Sequence, residues 1–146
     1  MRHELLDHHQ RIGWDIDGTL LGGPNSTFFR DYVTAHPEKE HHLITFRDEH
    51  GAHVAVVDLV RLGIPSARIT SVNFCPQHLW LAWTRREEYY DEEKCTGYLA
   101  WKGETAKKLN CTVMVDDVPM EVSPGCIRNG VAFIDAFDPS FAAGVG

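Results

Sequence analysis

A chain of 146 residues with 43% hydrophobic and 24% charged side chains has the balance of one ordinary globular unit, long enough to bury a core and too short for two full domains. Fourteen Lys and Arg against twenty-one Asp and Glu leave a formal charge of −7, which weighs against polyanionic partners such as nucleic acid. No apolar run approaches the roughly 20 residues that span a bilayer, and the polar start Met1–Gln10 lacks the apolar stretch of a secretory signal, so no membrane partner and a cytoplasmic location are expected.

The first strand is predicted over Arg11 to Asp15, and the turn-rich stretch Gly18 through Pro24 ends it. Asn25 or Ser26 can cap a helix that places Phe28, Phe29, Tyr32 and Val33 on one face and stops before Pro37. A second strand follows at His42 to Phe46. Ala52, Val56, Leu59 and Val60 then recur at helical spacing, with Gly63 suited to the C-terminal cap and Pro65 just beyond. A third strand lies around Arg68 to Phe74, and Pro76 to Lys94 reads as one helix with a solvated run of charges in its later half. A further helix starting near Lys102 and ending at Asn110 leads into the strand Cys111 to Val115. A last strand, Val131 to Ile134, follows the Asn129-Gly130 turn. Strands alternating with helices predict an α/β fold, a three-layer α/β/α sandwich around a mainly parallel, Rossmann-like sheet of about five strands. Right-handed crossovers place the carboxyl ends of such strands on one edge, where ligands bind. The four cysteines, Cys75, Cys95, Cys111 and Cys126, have no close pairing and read as reduced, partly buried thiols.

The sharpest local feature is Trp14-Asp15-Ile16-Asp17-Gly18-Thr19-Leu20, two acids one residue apart at a strand end, followed by a glycine turn. Asp15 can offer its carboxylate and Asp17 its backbone carbonyl to a hard divalent ion, leaving the Asp17 side chain free for proton transfer. Val115-Asp116-Asp117 repeats the arrangement at another strand end, where adjacent acids repel unless a cation or a proton relieves them. Thr45 ends the strand Leu43-Ile44-Thr45, and Lys102 stands fourteen positions before Asp116 at the expected start of a helix; a hydroxyl and an ammonium there can hold phosphoryl oxygens. Arg47, two residues past Thr45, is a candidate for substrate contact. Each feature has an ordinary structural explanation by itself, and their order along the chain is what argues for function.

In that order the chain resembles the haloacid dehalogenase (HAD) superfamily, through Asp15-Ile16-Asp17-Gly18-Thr19, Leu43-Ile44-Thr45, Lys102 and Val113-Met114-Val115-Asp116-Asp117. The resemblance is specific at the first motif, good at the fourth and soft at the second and third, where Lys94, Lys107 and Lys108 compete with Lys102. It implies an HAD-like domain over residues 1–146 and a Mg²⁺-dependent phosphohydrolase in which Asp15 forms an aspartyl-phosphate. Asp17 would serve as general acid and then base, and Thr45 and Lys102 would stabilise the phosphoryl oxygens. Asp15, Asp17, Asp116 and Asp117 would supply the metal site, and Gly18, Thr19, Phe46 and Arg47 the substrate contacts. Mg²⁺ is favoured over zinc because every proposed ligand is oxygen.

About 25 residues separate the first and second motifs, and one helix with its turns fills them, so no cap domain fits there. Between Thr45 and Lys102 lie 56 residues, of which Cys75 to Trp101, rich in Trp and Tyr, can form either a small flap over the site or a helix packed on the sheet. An open site would suit an exposed phosphorylated macromolecule as well as a small phosphorylated molecule. The nine histidines, His8-His9 and His41-His42 among them, are expected in loops or termini without the i, i+4 spacing of a zinc site. The alternative from another class is a non-catalytic module with the same fold that binds a divalent ion, a phosphorylated ligand or a protein partner.

Overall fold

Segments of four to six residues, apolar mainly toward their carboxyl ends in β1 and β2, form the strands, and the intervening segments curl into helices that cover both faces of the resulting sheet. The computed structural model describes residues 1–143. In chain order the elements are α1 (Glu4–Asp7), β1 (Arg11–Trp14), α2 (Ser26–Ala35), β2 (Glu40–Thr45), α3 (Glu49–Arg61), a 3₁₀ turn (Ser66–Arg68), β3 (Ser71–Phe74), α4 (Gln77–Thr84), α5 (Glu92–Lys108), β4 (Val113–Asp116), α6 (Pro119–Arg128), β5 (Ala132–Asp135) and α7 (Ser140–Ala143). All strand pairs are parallel and the order is β3-β2-β1-β4-β5, which is the expected three-layer α/β/α sandwich with a Rossmann-like sheet.

Alternation along the strands sorts the core into two layers. Ile12, Trp14, Leu43, Val113 and Val115 face α1, α2, α3 and α7, where Leu6, Phe29, Tyr32, Leu59 and Phe141 are fully or almost fully buried. Ile44 and Met114 face the other way, onto Ala106 of α5 and Val122 and Cys126 of α6. Helices α5 and α6 meet at two glycines: a β-carbon on Gly103 would run into the backbone of Gly125, so only glycine at this crossing lets the helices approach as closely as they do. The chain winds from β1 outward to β3, then returns to β4 on the opposite side of β1. That reversal opens a crevice at the carboxyl ends of β1 and β4.

Several elements differ from the sequence expectation. The helix expected over Pro76 to Lys94 breaks after Thr84, and the second helix begins at Glu92, not near Lys102. Its N-cap Asp91 accepts a hydrogen bond from the Lys94 amide, with Glu92 and Glu93 favourably placed in the first turn. Lys102 therefore lies deep within a 17-residue helix. Asn25 occupies the N-cap of α2 without a side-chain cap; its amide donates instead to the carbonyls of Ala136 and Asp138. Helix α6 was not anticipated, because Pro124 inside it reads as a breaker, whereas Pro119 at its start is the compatible position. His41 and His42 sit in β2 and are buried, not in a loop. Trp14 Nε1, which can only donate, bonds His41 Nδ1 at 3.1 Å, so the ring proton resides on Nε2 and is donated to the His36 carbonyl at 2.9 Å. The four cysteines are free and buried. Among the described residues no helix is long and apolar enough to cross a membrane.

Candidate functional site

Asp15 follows directly on β1 and Asp116 ends β4; the parallel register that pairs Trp14 with Val115 brings the two carboxylates side by side in the crevice. The Asp15 amide continues the ladder, donating to the Val115 carbonyl at 2.9 Å. From the neighbouring layer, Lys102 of α5 reaches between them. Its Nζ donates to Asp15 Oδ1 at 2.7 Å and to Asp116 Oδ2 at 2.6 Å, and its side chain is only 2% exposed. The same ammonium lies 4.4 Å from the centre of the Phe46 ring, a cation–π contact, and two of its three N–H groups are taken by the carboxylates. The other oxygens are held as well: Thr19 Oγ1 donates to Asp15 Oδ2 at 3.3 Å, and Asp116 Oδ1 accepts from the Val118 amide at 3.0 Å.

The charge balance is uneven. Burial pushes the Asp15 carboxyl well above the ordinary carboxylate range, Lys102 pulls it back, and the neighbouring Asp116 adds to the rise. Burial likewise raises Asp116 against the pull of Lys102. Burial would by itself lower the pKa of Lys102, but Asp15 and Asp116 outweigh it and raise the value, so the lysine stays charged. Asp117 adds a third carboxylate: oxygens of Asp15, Asp116 and Asp117 lie within 4.8 Å of one another. One buried cation facing three acids leaves surplus negative charge, which an added proton or cation would relieve. Gly18 makes the approach of Asp117 sterically feasible, since its φ of 79° favours glycine and a β-carbon there would meet the Asp117 carboxylate.

A cavity of about 200 Å³ opens onto this cluster, lined by Asp15, Asp17, Thr45, Lys102, Asp116 and Asp117 together with Phe46, Arg47 and Val118. Thr45 is buried; its hydroxyl accepts the Arg47 amide at 3.0 Å, which leaves its own proton to donate. The sequence suggested a free Asp17 side chain, and the structure shows it held. Arg47 holds it with Nε to Oδ2 at 2.8 Å and Nη2 to Oδ1 at 2.7 Å, and these bonds, against some burial, lower the Asp17 pKa. The third guanidinium nitrogen donates to the Gly51 carbonyl at 3.0 Å.

The structure thus brings together nine of the ten site residues singled out in sequence, counting Gly18 through its contact with Asp117; Thr19 is fully buried beneath Asp15 and supports that carboxylate instead of facing the cavity. The Asp17 side chain stands apart from the three-carboxylate group. No residue of Cys75 to Trp101 lines this cavity. Tyr98 of that stretch stacks between Phe46 and Trp83, and Trp101 packs against Phe46, so much of its aromatic content supports the site from beneath. The Val118 amide was not foreseen; Asp116 followed by Pro119 at a helix start was the signal for it.

Fold and crevice together define a parallel α/β sandwich with a lysine-bridged acidic cluster at the carboxyl edge of its sheet. No protein-family model and no curated protein matches the chain. A crystal structure of an uncharacterized protein from Corynebacterium glutamicum is similar in fold, with a TM-score of 0.50 and 14% identity over 86% of this chain and 83% of that one.

Proposed function

We propose that the chain is an HAD-type phosphohydrolase that uses Mg²⁺ and cleaves a phosphomonoester. The observation that carries this reading is Lys102: one buried ammonium ties the acid after β1 to the acid ending β4, on a cavity that the Thr45 hydroxyl also lines and that is large enough for a phosphoryl group. Three carboxylates with all-oxygen donors suit a hard divalent ion, and Asp15, Asp116 and Asp117 would hold it, with the backbone carbonyl of Asp17 as a further ligand. The ion, when bound, supplies positive charge that polarises the phosphoryl group and offsets the acids.

Asp15 attacks phosphorus as the carboxylate, and the P–O bond to the leaving group breaks as Asp17 delivers a proton to that oxygen. Water then attacks the aspartyl-phosphate, Asp17 takes its proton, and inorganic phosphate leaves with Asp15 restored. Lys102 and Thr45 donate to the phosphoryl oxygens as charge builds on them. Arg47 keeps Asp17 ionised before substrate arrives, so the guanidinium must loosen its grip for the protonated half of the cycle.

The test is release of inorganic phosphate from p-nitrophenyl phosphate, with Mg²⁺ or with chelator. Wild type should be active only with the ion, and Asp15→Asn should lose roughly a thousandfold or more. Full activity in Asp15→Asn would remove Asp15 as nucleophile. A wild type inert across a broad panel of phosphomonoesters would favour a binding module of the same fold, a reading consistent with how completely Lys102 already satisfies Asp15 and Asp116.

A further inference from the structure

Beside the small cavity lies a second, larger one of about 490 Å³, and Asp17, Phe46 and Arg47 form the wall they share. Resting on the phosphohydrolase reading, we propose that this groove receives the leaving group of the substrate, and that the leaving group carries an uncharged aromatic ring lying against Trp80.

Continuity comes first. The small cavity takes the phosphoryl group beside Asp15 and Lys102, and the proton donor Asp17 stands on the boundary between the two cavities, so the group bonded to the bridging oxygen can extend past Asp17 into the groove. The groove is of ordinary size for an organic ligand. Charge comes second. The one guanidinium in the lining, Arg47, has its three nitrogens committed to Asp17 and the Gly51 carbonyl, and Asp48 caps α3 through the Gly51 amide. The remaining lining residues, Phe46, Gly51, Cys75, Gln77 and Trp80, are uncharged. Even when Asp17 takes its proton and frees Arg47, Asp48 offsets that cation, so a second anionic group on the substrate gains no net attraction from this lining.

The rings decide what the groove prefers. Phe46 is occupied, stacked on Tyr98 at 4.2 Å with the Lys102 ammonium over it. Trp80 of α4 is 44% exposed, and among the described residues no ring and no cation stacks on it. An aromatic leaving group supplies that contact, and a stacked pair is worth a preference of up to about tenfold beyond simple burial.

Three esters matched in the alcohol released decide the matter: benzyl phosphate, cyclohexylmethyl phosphate and 4-carboxybenzyl phosphate, each with Mg²⁺. Wild type should favour benzyl over cyclohexylmethyl by up to about tenfold in kcat/KM and should gain nothing from the added carboxylate. Trp80→Leu, which keeps an apolar side chain on a half-exposed helix position, should bring the benzyl to cyclohexylmethyl ratio near one, and Trp80→Phe should recover part of it. Equal rates for the two uncharged esters in wild type, or a ratio unmoved in Trp80→Leu, would overturn the proposal while leaving the hydrolase reading intact. If none of these esters is turned over, calorimetric binding of benzylphosphonate against cyclohexylmethylphosphonate decides the ring site by itself: a benzyl preference that Trp80→Leu abolishes keeps it, equal or absent binding overturns it, and hydrolysis is judged separately on the broad phosphomonoester panel.

Discussion

Two ion pairs meet at the carboxyl edge of the sheet, and they are built in opposite ways. Asp15–Lys102–Asp116 is almost wholly buried at the floor of the small cavity: side-chain exposures are 8%, 2% and 1%, every carboxylate oxygen has a donor, and the charges do not balance. Asp17–Arg47 lies at the rim with exposures of 59% and 29%, balances one for one, and is bathed by the solvent of two adjoining cavities. A buried cluster with surplus charge is costly to keep and hard to rearrange, whereas a rim pair in water costs little to open. On the proposed reading the two differ in what they must give up: the first keeps its carboxylates in place for the phosphoryl group, and the second exchanges its partner when Asp17 is protonated.

Removing the buried cation should have the largest effect. Lys102→Met preserves the length of the side chain and leaves two buried carboxylates unpaired, so unfolding in urea with chelator present should show a loss of about 3–5 kcal/mol. On the proposed metal reading, Mg²⁺ should recover part of that loss. A cost below about 1 kcal/mol would mean that the cluster is not held under charge strain, and the distinction between the two pairs would fail.

His41 sharpens the comparison from the other side, as a buried group kept neutral. Burial lowers its pKa from 6.5, and its Nδ1 already accepts the Trp14 N–H, so a second ring proton has nowhere favourable to go. The folded pKa lies below the unfolded one; the stability contribution is therefore intact above about pH 6.5 and is lost as pH falls toward the folded value, while the unfolded chain takes up a proton that the folded chain refuses. The slope approaches about 1.4 kcal/mol per pH unit at most. His41→Gln, which retains a donor and an acceptor, should flatten the stability profile between pH 7 and 5 relative to wild type. Identical slopes would show that other histidines carry the acid sensitivity.

Much of this was legible in sequence, for reasons that differ by residue. Asp15 and Asp116 could be placed because short apolar runs, Ile12–Trp14 and Val113–Val115, lead directly to them. Lys102 was the hardest to place. The buried residues of α5 include Cys95, Tyr98, Lys102 and Ala106, which recur at helical spacing, but a lysine in the stripe makes it read as polar, and the helix start was accordingly sought at Lys102 itself. The limits of β2 were obscured similarly: His41 and His42 are polar in sequence yet buried, because Trp14, the His36 carbonyl, Ser71 and Glu40 satisfy their ring nitrogens. No local pattern announces the Arg47–Asp17 fork, since it joins residues thirty positions apart through side chains alone.

Arg47→Ala gives the smallest expected change in stability and the closest test of the rim pair. An exposed bidentate pair contributes about 0.2–1 kcal/mol, so unfolding in urea near neutral pH should shift by no more than that. The pH signature has a definite sign. Arg47 lowers the Asp17 pKa from 3.8, so the stabilisation is present above that value and disappears as pH falls through the folded pKa; wild type and Arg47→Ala should converge in acid and separate toward neutrality. A deficit of several kcal/mol at neutral pH would make Arg47 as structural as Lys102. The Gly51 carbonyl and the start of α3 would then depend on the guanidinium, and Asp17 could not exchange it for a proton without loosening the whole β2–α3 turn.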